Sequence, residues 1–317
     1  MPKRISKIVE SEIIKLYKNG SGTCEISKHF GINRWTVLQY LKKHNLNPQR
    51  ITRPYKNKYN IYFFSEYTKE SAYWAGFIMA DGNVCYTSPK YYVQIGLSEK
   101  DKDHLQKFSN AINFAGPIYD YKKGKASSIS VRGKWFVNDL LNKYGITERK
   151  SLTTKYPEQL PKELHSHFIR GYFDGDGSVP KKHSATISFI GSQSMMRSIR
   201  TILHDTLKLK IRGHHSKAPL QSYKNSSVKQ FVYSGDNARK IIEWLYKDSN
   251  IESRLDRKYI ICKKWTNRIN KVSRPHSKGH NDKISGALRG ENGPSSKLKN
   301  KDAVKIRKMF FSKTGLL

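Results

Sequence analysis

Two stretches of the sequence, Ala72–Gly82 (AYWAGFIMADG) and His167–Gly177 (HFIRGYFDGDG), resemble each other and decide the fold. Each is an apolar run that is compatible with a helix and ends in Asp-Gly. Three positions in each run recur at every fourth residue, and all but the histidine are small: Ala72, Gly76 and Ala80, then His167, Gly171 and Gly175. Such positions share one face of a helix, where small side chains let two backbones approach closely. The pattern predicts two crossed helices that meet along these faces.

An aspartate follows the last of these positions in both runs, as Asp81 and as Asp176. Two crossed helices would bring both carboxylates together at their C-terminal ends. A helix C-terminus carries partial negative charge and unpaired carbonyl groups, so two anions are unfavourable there unless a cation joins them. The spacing therefore predicts a metal site.

The two stretches resemble the paired motifs of the LAGLIDADG homing endonucleases. In that frame the motifs are Trp74–Gly82 and Ile169–Gly177, and both keep the small residues at the third and seventh places and the acid before the final glycine. The family often has a second acid two residues earlier, which Asp174 keeps and Met79 does not. The two copies are spaced one small domain apart, which makes the resemblance specific.

The composition indicates a nucleic-acid partner. The chain has 317 residues and a formal net charge of +35. A basic excess of this size is typical of proteins that bind a phosphate backbone. Ribosomal proteins and membrane-surface proteins share it, so the charge selects a class of partner and not an activity.

The three cysteines, Cys24, Cys85 and Cys262, are few and widely spaced, which favours a reducing compartment without structural disulfides. We find no signal peptide and no apolar run long enough to span a membrane. We expect the cytoplasm of a bacterial or phage-infected cell, or an organelle matrix, and not secretion.

Residues 1–47 read as a helix-turn-helix unit. The first helix is predicted over Ser6–Tyr17, Thr23 is predicted to cap the second, and Asn33 to cap the third. A short helix, a glycine-containing turn and then a basic helix are typical of DNA-binding units. The DNA-facing side chains would be Trp35, Gln39, Lys42 and Lys43. The alternative is a small helical bundle with a solvated basic face, which the charge of the chain disfavours.

Residues 48–66 are equally consistent with a basic strap along DNA and with a plain linker.

Residues 67–160 and 161–265 read as two copies of one unit. In the first copy, strands are predicted at 84–87, 91–97, 118–121 and 128–131, with helices at 101–112 and 134–144. In the second, strands are predicted at 186–190, 208–214 and 228–233, with helices at 194–207 and 237–246. The fold class is α+β: a duplicated αββαββα pseudo-dimer with the motif helices at its centre. Residues 266–317 form a basic tail that resembles a truncated DNA-binding module.

One face of each sheet would pack on helices and the other would meet DNA. The candidates for this saddle-shaped surface in the first copy are Lys90, Tyr92, Gln94, Tyr119, Lys122, Lys123, Lys125 and Arg132. In the second copy they are Lys181, Lys182, His183, Arg212, His214, Lys217, Lys224 and Lys229. Each one alone is equally consistent with a solvated surface charge.

The resemblance implies hydrolysis of a DNA phosphodiester with a divalent metal, Mg²⁺, for which Mn²⁺ can substitute. Asp81 and Asp176 would hold it, together with the backbone carbonyls of Ala80 and Gly175. It also implies a basic residue after the last helix of each copy. The matching segments are Glu148–Ser151 and Asp256–Tyr259, from which we choose Lys150 and Lys258, with Arg149 and Arg257 as alternatives.

Other catalytic motifs are incomplete. His214-His215 lacks the Asn and His that would complete a His-Asn-His nuclease motif, and Cys262 with His276 and His280 has one cysteine too few for a zinc finger. The sequence contains no glycine-rich phosphate loop.

The leading interpretation is a monomeric, single-chain endonuclease that makes a double-strand break in DNA at a long, non-palindromic site, as a mobile element encoded in an intron or as a free-standing gene. The rival class keeps the fold without cleavage: a DNA-binding regulator, or a maturase whose partner is intron RNA.

Overall fold

The two motif stretches form helices α4 (Lys69–Asp81) and α7 (His165–Asp176), which pack against each other more extensively than any other pair of described elements. The structure is a computed structural model that describes residues 5–48, 56–87, 90–121, 123–148, 150, 153–181, 185–209, 220–222 and 227–267. A Cβ on Gly76 would overlap the carbonyl oxygen of Phe168, and one on Gly171 would overlap that of Tyr73. The two helices therefore cross with backbone against backbone, which only glycine permits at these positions.

The first copy contains strands β1 (Gly82–Thr87), β2 (Lys90–Ser98), β3 (Tyr119–Tyr121) and β4 (Ala126–Arg132), and helices α5 (Lys102–Ala111) and α6 (Lys134–Tyr144). The strands form an antiparallel sheet in the order β1-β2-β4-β3. Alternate residues of β2 and β4 are buried beneath helices α5 and α6, including Val93, Ile95, Ile129 and Val131. The opposite face of the sheet is open.

The second copy contains strands β5 (Thr186–Gly191), β6 (Gln221–Ser222) and β7 (Lys229–Ser234), and helices α8 (Gln193–Leu207) and α9 (Gly235–Tyr246). These strands form an antiparallel sheet in the order β5-β7-β6. An isolated bridge between Ser178 and Ser188 stands directly after α7, where β1 follows α4 in the first copy. The mixed α+β class and the repeated order of elements agree with the prediction.

Three helices lie at the N-terminal end: α1 (Lys7–Lys18), α2 (Thr23–Phe30) and α3 (Arg34–Lys43). The side chain of Asn33 accepts a hydrogen bond from Trp35 N and caps α3, as expected. Ser6, which was predicted as the first residue of the first helix, is instead the N-cap of α1. The cap of α2 was predicted wrongly, because Gly22 is the N-cap and Thr23 is the first helical residue.

Two further predictions differ from the structure. Lys208 does not open a strand but ends α8 in the left-handed conformation, with φ of 46°. The rest of that predicted strand, 210–214, lies outside the described residues. The sequence also gave no indication of helix α10 (Asp256–Thr266), which crosses the predicted boundary at residue 265.

All described residues belong to one compact unit that ends at Asn267, so residues 268–317 of the predicted tail lie outside them. Within this part of the chain, no helix has the length and apolar character that crossing a bilayer demands.

Candidate functional site

Asp81 and Asp176 are the last residues of α4 and α7. The crossing of the two helices brings these ends together, since the Cβ position on Gly175 lies 3.4 Å from Asp81 Oδ2. Asp81 is exposed and Asp176 is half-buried. The predicted pair of carboxylates at the shared helix ends is therefore present in the fold.

The surroundings of the two carboxyl groups disfavour their negative charge. Burial, and then the nearby charge of Asp81, raise the pKa of Asp176 to about 6. Partial loss of hydration likewise raises the pKa of Asp81, although this side chain keeps one side open to solvent. Lys150 and Lys258 act in the opposite direction at both groups. Two carboxylates held in this way favour a shared cation.

The two predicted lysines reach the helix ends and donate hydrogen bonds to backbone carbonyl groups there. Lys150 Nζ donates to Ala80 O at 2.9 Å. Lys258 Nζ donates to Phe173 O at 2.8 Å, Gly175 O at 2.9 Å and Gly177 O at 2.6 Å. Burial lowers the pKa of both ammonium groups, while the charges of the aspartates raise it. The carbonyls predicted as metal ligands, Ala80 and Gly175, thus already accept from lysine, and each has a second lone pair.

A cavity of about 240 Å³ opens beside Asp176, and its lining includes Ala80, Lys150 and Tyr172. No group of three or more His, Cys, Asp or Glu side chains with a geometry suited to a metal occurs among the described residues. Mg²⁺ does not need such a group, because it binds through one or two carboxylates plus phosphate oxygens and water. The two aspartates with their neighbouring carbonyls fit that ion.

Residues 163–244, which run from just before α7 into α9, match the family model described as the LAGLIDADG-like domain. The protein contains a LAGLIDADG-like domain. The first motif helix, α4, lies outside the matched range. No curated protein sequence matches the chain.

Several solved structures are similar to this chain at low sequence identity. The I-LtrWI LAGLIDADG homing endonuclease bound to target DNA is 13% identical, with a TM-score of 0.43, over 74% of this chain and 99% of that one. The LAGLIDADG homing endonuclease I-GzeII in complex with its DNA target is 16% identical, with a TM-score of 0.42, over 72% and 94%. I-SmaMI bound to an uncleaved DNA target in the presence of calcium ions is 13% identical, with a TM-score of 0.42, over 72% and 95%.

Two arginines, Arg149 and Arg257, were the alternatives to the two lysines. Arg257 forms an ion pair with Asp101 at 2.9 Å. Arg149 lies outside the described residues. Of the two alternatives, the structure therefore describes only one, and its charge is engaged elsewhere.

Sequence reasoning missed Glu148, which fixes the approach to Lys150. Its Oε1 accepts hydrogen bonds from the backbone N of Tyr86 at 2.7 Å and of Thr87 at 3.2 Å. These bonds lower the pKa of Glu148 and attach the segment before Lys150 to β1. A lone glutamate beside two cations carries no sequence signal for such a role.

The open face of the first sheet carries several of the side chains that were predicted to face DNA. In the register of the sheet, Tyr92 pairs with Arg132 and Gln94 with Ser130, and the buried residues lie on the other face. Lys90 shares the open face at the start of β2, and Tyr119 is 60% exposed. Lys123 and Lys125 are exposed in the turn before β4, and Lys122 lies outside the described residues. The structure thus brings five of these side chains to one face of the sheet: Lys90, Tyr92, Gln94, Tyr119 and Arg132.

The equivalent surface of the LAGLIDADG-like domain is described only in part. Lys181 is exposed, while Lys182, His183, Arg212, His214, Lys217 and Lys224 lie outside the described residues. Lys229 was predicted wrongly: it alternates in phase with buried Phe231 and Tyr233, and its Nζ donates to Ser222 Oγ at 2.7 Å. Gln230 and Val232 occupy the open face instead. The prediction failed because it used charge where strand parity decides.

Three of the four residues predicted to face DNA on α3 are available on its surface. Trp35 is 55% exposed, and Gln39 and Lys42 are exposed beside it, while Val37 and Leu41 are buried. Lys43 differs, because it forms an ion pair with Glu10 of α1 at 2.8 Å.

The remaining residues of the predicted helix interface are buried. Ala72 and His167 are almost inaccessible. The Nδ1 of His167 lies 3.1 Å from Arg170 Nη2 within its own helix. Burial, and then the charge of Arg170, lower the pKa of His167 to about 4. The histidine therefore takes a place in a buried polar group rather than acting as a small interface residue.

Proposed function

We propose that this protein is a metal-dependent endonuclease that makes a double-strand break in DNA at a long, non-palindromic site. The observation that carries the proposal is the meeting of Asp81 and Asp176 at the ends of two crossed helices, each with a lysine on the adjacent carbonyl groups. The LAGLIDADG-like domain supports the same reading. The net charge of +35 supports a nucleic-acid partner.

Asp81 and Asp176 would hold Mg²⁺, or Mn²⁺ in its place, together with the carbonyl oxygens of Ala80 and Gly175. When bound, the metal supplies stabilisation of the charge that develops on the phosphate oxygens. The chain itself supplies two carboxylates that are fixed in place by rigid helices, so the site needs little rearrangement before it binds.

The two lysines would act differently. Lys258 Nζ donates its three hydrogen bonds to three carbonyl groups, so its positive charge is held in a fixed position beside the carboxylates. Lys150 Nζ donates to Ala80 O alone among the described residues and lines the cavity beside Asp176. Its other protons are available to a phosphate oxygen. Both would offset charge on the phosphate in a partly dehydrated site.

The open face of the first sheet would lie against the DNA, with Tyr92, Gln94 and Arg132 toward base edges and the lysines toward phosphates. The two copies differ in sequence, so they would read different half-sites, and a single chain would suffice as a monomer.

Plasmid cleavage tests the proposal. A supercoiled plasmid that carries the uninterrupted insertion site of the gene is incubated with the full chain and Mg²⁺, with chelator as the control. We expect linear plasmid with Mg²⁺ and none with chelator. Intact plasmid in both, with tight binding of the protein to the DNA or to intron RNA, would support the non-cleaving regulator or maturase instead.

A further inference from the structure

Asp174, two residues before Asp176, is a buried carboxylate that bonds to three separate elements. It is 1% exposed. Its Oδ2 accepts from Tyr73 OH of α4 at 2.9 Å and from Leu255 N at 2.8 Å, and its Oδ1 accepts from Tyr246 OH of α9 at 2.6 Å. Both oxygens are therefore satisfied, and this acid does not face the site beside Asp81 and Asp176.

The bond to Leu255 lies at the beginning of α10. Leu255 is the N-cap of this helix, and its own side chain cannot cap the helix. The first backbone N–H groups of a helix have no partner within it, and an anion near them is favourable. The carboxylate of Asp174, from another helix, takes this place.

Lys258 lies in the first turn of the helix that Asp174 caps. The backbone N–H groups of Lys258 and Tyr259 both donate to Leu255 O at 3.0 Å. Leu255 therefore donates its N–H to Asp174, and its carbonyl oxygen accepts the first hydrogen bonds of the helix. Lys258 Nζ in turn donates hydrogen bonds to Phe173 O and Gly175 O, the carbonyl oxygens of the two residues that flank Asp174 in the chain. The two helices thus cap each other: α7 supplies the acid at the start of α10, and α10 supplies the ammonium at the end of α7.

The first copy has no counterpart of this arrangement among its described residues. Met79 occupies the position that corresponds to Asp174, and it is buried. Lys150, which corresponds to Lys258, donates to one carbonyl of α4 among the described residues. Among the described residues, the two halves of the site therefore differ in two ways: Met79 replaces the acid, and one carbonyl accepts from Lys150 where three accept from Lys258.

We propose that Asp174 is a positioning residue for Lys258, acting through the start of α10, in one half of the site only. This proposal rests on the proposed function. Cleavage of the DNA strand that Lys258 serves depends on Asp174, and cleavage of the other strand does not.

The proposal is tested by measuring how fast the Asp174→Asn variant of the full chain cuts each DNA strand, on a duplex that is labelled on one strand at a time. Lys258→Met first identifies the strand that Lys258 serves, by the larger loss of rate. Asp174→Asn keeps the volume of the side chain but loses the charge and one acceptor. Because displacement of a catalytic group by about 1 Å can cost on the order of 100-fold, we expect that strand to be cut ~10- to 100-fold more slowly. The other strand keeps its rate. Equal slowing of both strands would overturn the proposal.

Two further variants separate positioning from a general loss of structure. Tyr73→Phe removes a donor to the same oxygen without touching α10, and it is expected to keep the wild-type ratio of the two strand rates. Lys107→Met loosens the start of α10 from the first copy, since Lys107 Nζ donates to Arg254 O at 3.2 Å and to Asp256 at 2.6 Å. This variant is expected to slow cleavage of the strand that Lys258 serves. It replaces Asp174→Asn in the test if Asp174→Asn does not fold. Slowing of the opposite strand by Lys107→Met would contradict the proposal.

Backbone hydrogen exchange gives a readout that does not need cleavage. Asp174→Asn is expected to increase exchange in the peptide that contains Leu255, Lys258 and Tyr259, with exchange in α8 unchanged. Unchanged exchange at the start of α10 would overturn the proposal. If the wild-type protein cuts neither strand, the endonuclease function fails, and the exchange result alone decides the role of Asp174.

Discussion

At the scale of single residues, burial sets the chemistry of the centre of this protein. His104 of α5 is 2% exposed and lies among aromatic rings, with its centroid 4.8 Å from that of Trp74 and 4.7 Å from that of Phe77. Its Nε2 lies 3.0 Å from Tyr73 OH, the same hydroxyl that donates to Asp174. Burial, and then the charge of Lys107, lower the pKa of His104 to about 3.

This histidine makes folding sensitive to acid. In the unfolded chain it binds a proton near its ordinary pKa of 6.5, and in the folded chain only near pH 3. The free energy of unfolding therefore decreases as pH falls from about 6.5 toward 3, by up to about 1.4 kcal/mol per pH unit for this one group. Phenylalanine suits the aromatic surroundings, so His104→Phe is expected to reduce the pH dependence of the unfolding free energy by up to about 1.4 kcal/mol per pH unit. Urea unfolding at pH 7, 6 and 5 measures it, and identical pH dependence in both proteins would contradict the assignment.

At the scale of elements, the crossing of α4 and α7 holds the site together. A Cβ on Gly171 would overlap the carbonyl oxygen of Tyr73 and would lie 2.8 Å from Phe77 N. Both neighbours are backbone atoms of a helix, so neither can move without separating the helices.

Gly171→Ala is accordingly expected to destabilise the protein by about 1–3 kcal/mol, in spite of the better helix propensity of alanine. The melting temperature and the urea midpoint measure the change. Ser166→Ala, in the same helix but half-exposed, is the matched control and should have little effect. If Gly171→Ala proved as stable as the wild type, the close crossing would be wrong.

The sequence predicted the elements whose burial follows a simple period. Helix α6 begins and ends where its apolar spacing indicated, and β1, β2 and β4 were each located to within a few residues. Helix α10 escaped prediction although its buried side chains, Ile261, Cys262 and Trp265, follow a helical spacing, because the lysines around them make the segment look like a polar stretch. The indole of Trp265 donates to Pro180 O at 3.1 Å. The position of Lys258 could be expected from the family resemblance, whereas its capping bonds depend on this helix.

The same limit applies to the site. The crossing helices and their terminal aspartates follow from residue spacing, which is local information. The roles of Glu148 and Asp174 depend on partners more than 60 residues away, and no local pattern predicts these partners.

At the scale of the whole molecule, the N-terminal helices are joined to the first copy by specific contacts. Lys58 Nζ forms an ion pair with Glu25 at 2.5 Å, and Ile61 N donates to Lys18 O at 3.1 Å. Tyr17 and Leu46 are buried in the same core. Deletion of residues 1–47 would therefore expose apolar surface, and substitutions on the surface of α3 are the better test of DNA binding.

A triple variant, Trp35→Ala, Gln39→Ala and Lys42→Ala, is expected to shorten the protected footprint at one end of the DNA site while the protein stays folded. Loss of one phosphate contact should also reduce the slope of log affinity against log salt by about 0.9. The matched control is Lys7→Ala with Lys15→Ala on α1, where both lysines are exposed. Footprinting and binding over a range of salt concentrations measure both effects, and an unchanged footprint would assign α3 another role.

The central claim is that Asp81 and Asp176 together form one metal-dependent site for cutting both strands. The most direct test compares Asp81→Asn and Asp176→Asn with the wild type on the same labelled duplex, and includes Asp205→Asn on the surface of α8 as the matched acid-to-amide control. We expect both site variants to lose double-strand cleavage with Mg²⁺ and to bind the duplex as before, while Asp205→Asn cuts normally. Double-strand cleavage at the wild-type rate by either site variant would contradict the account.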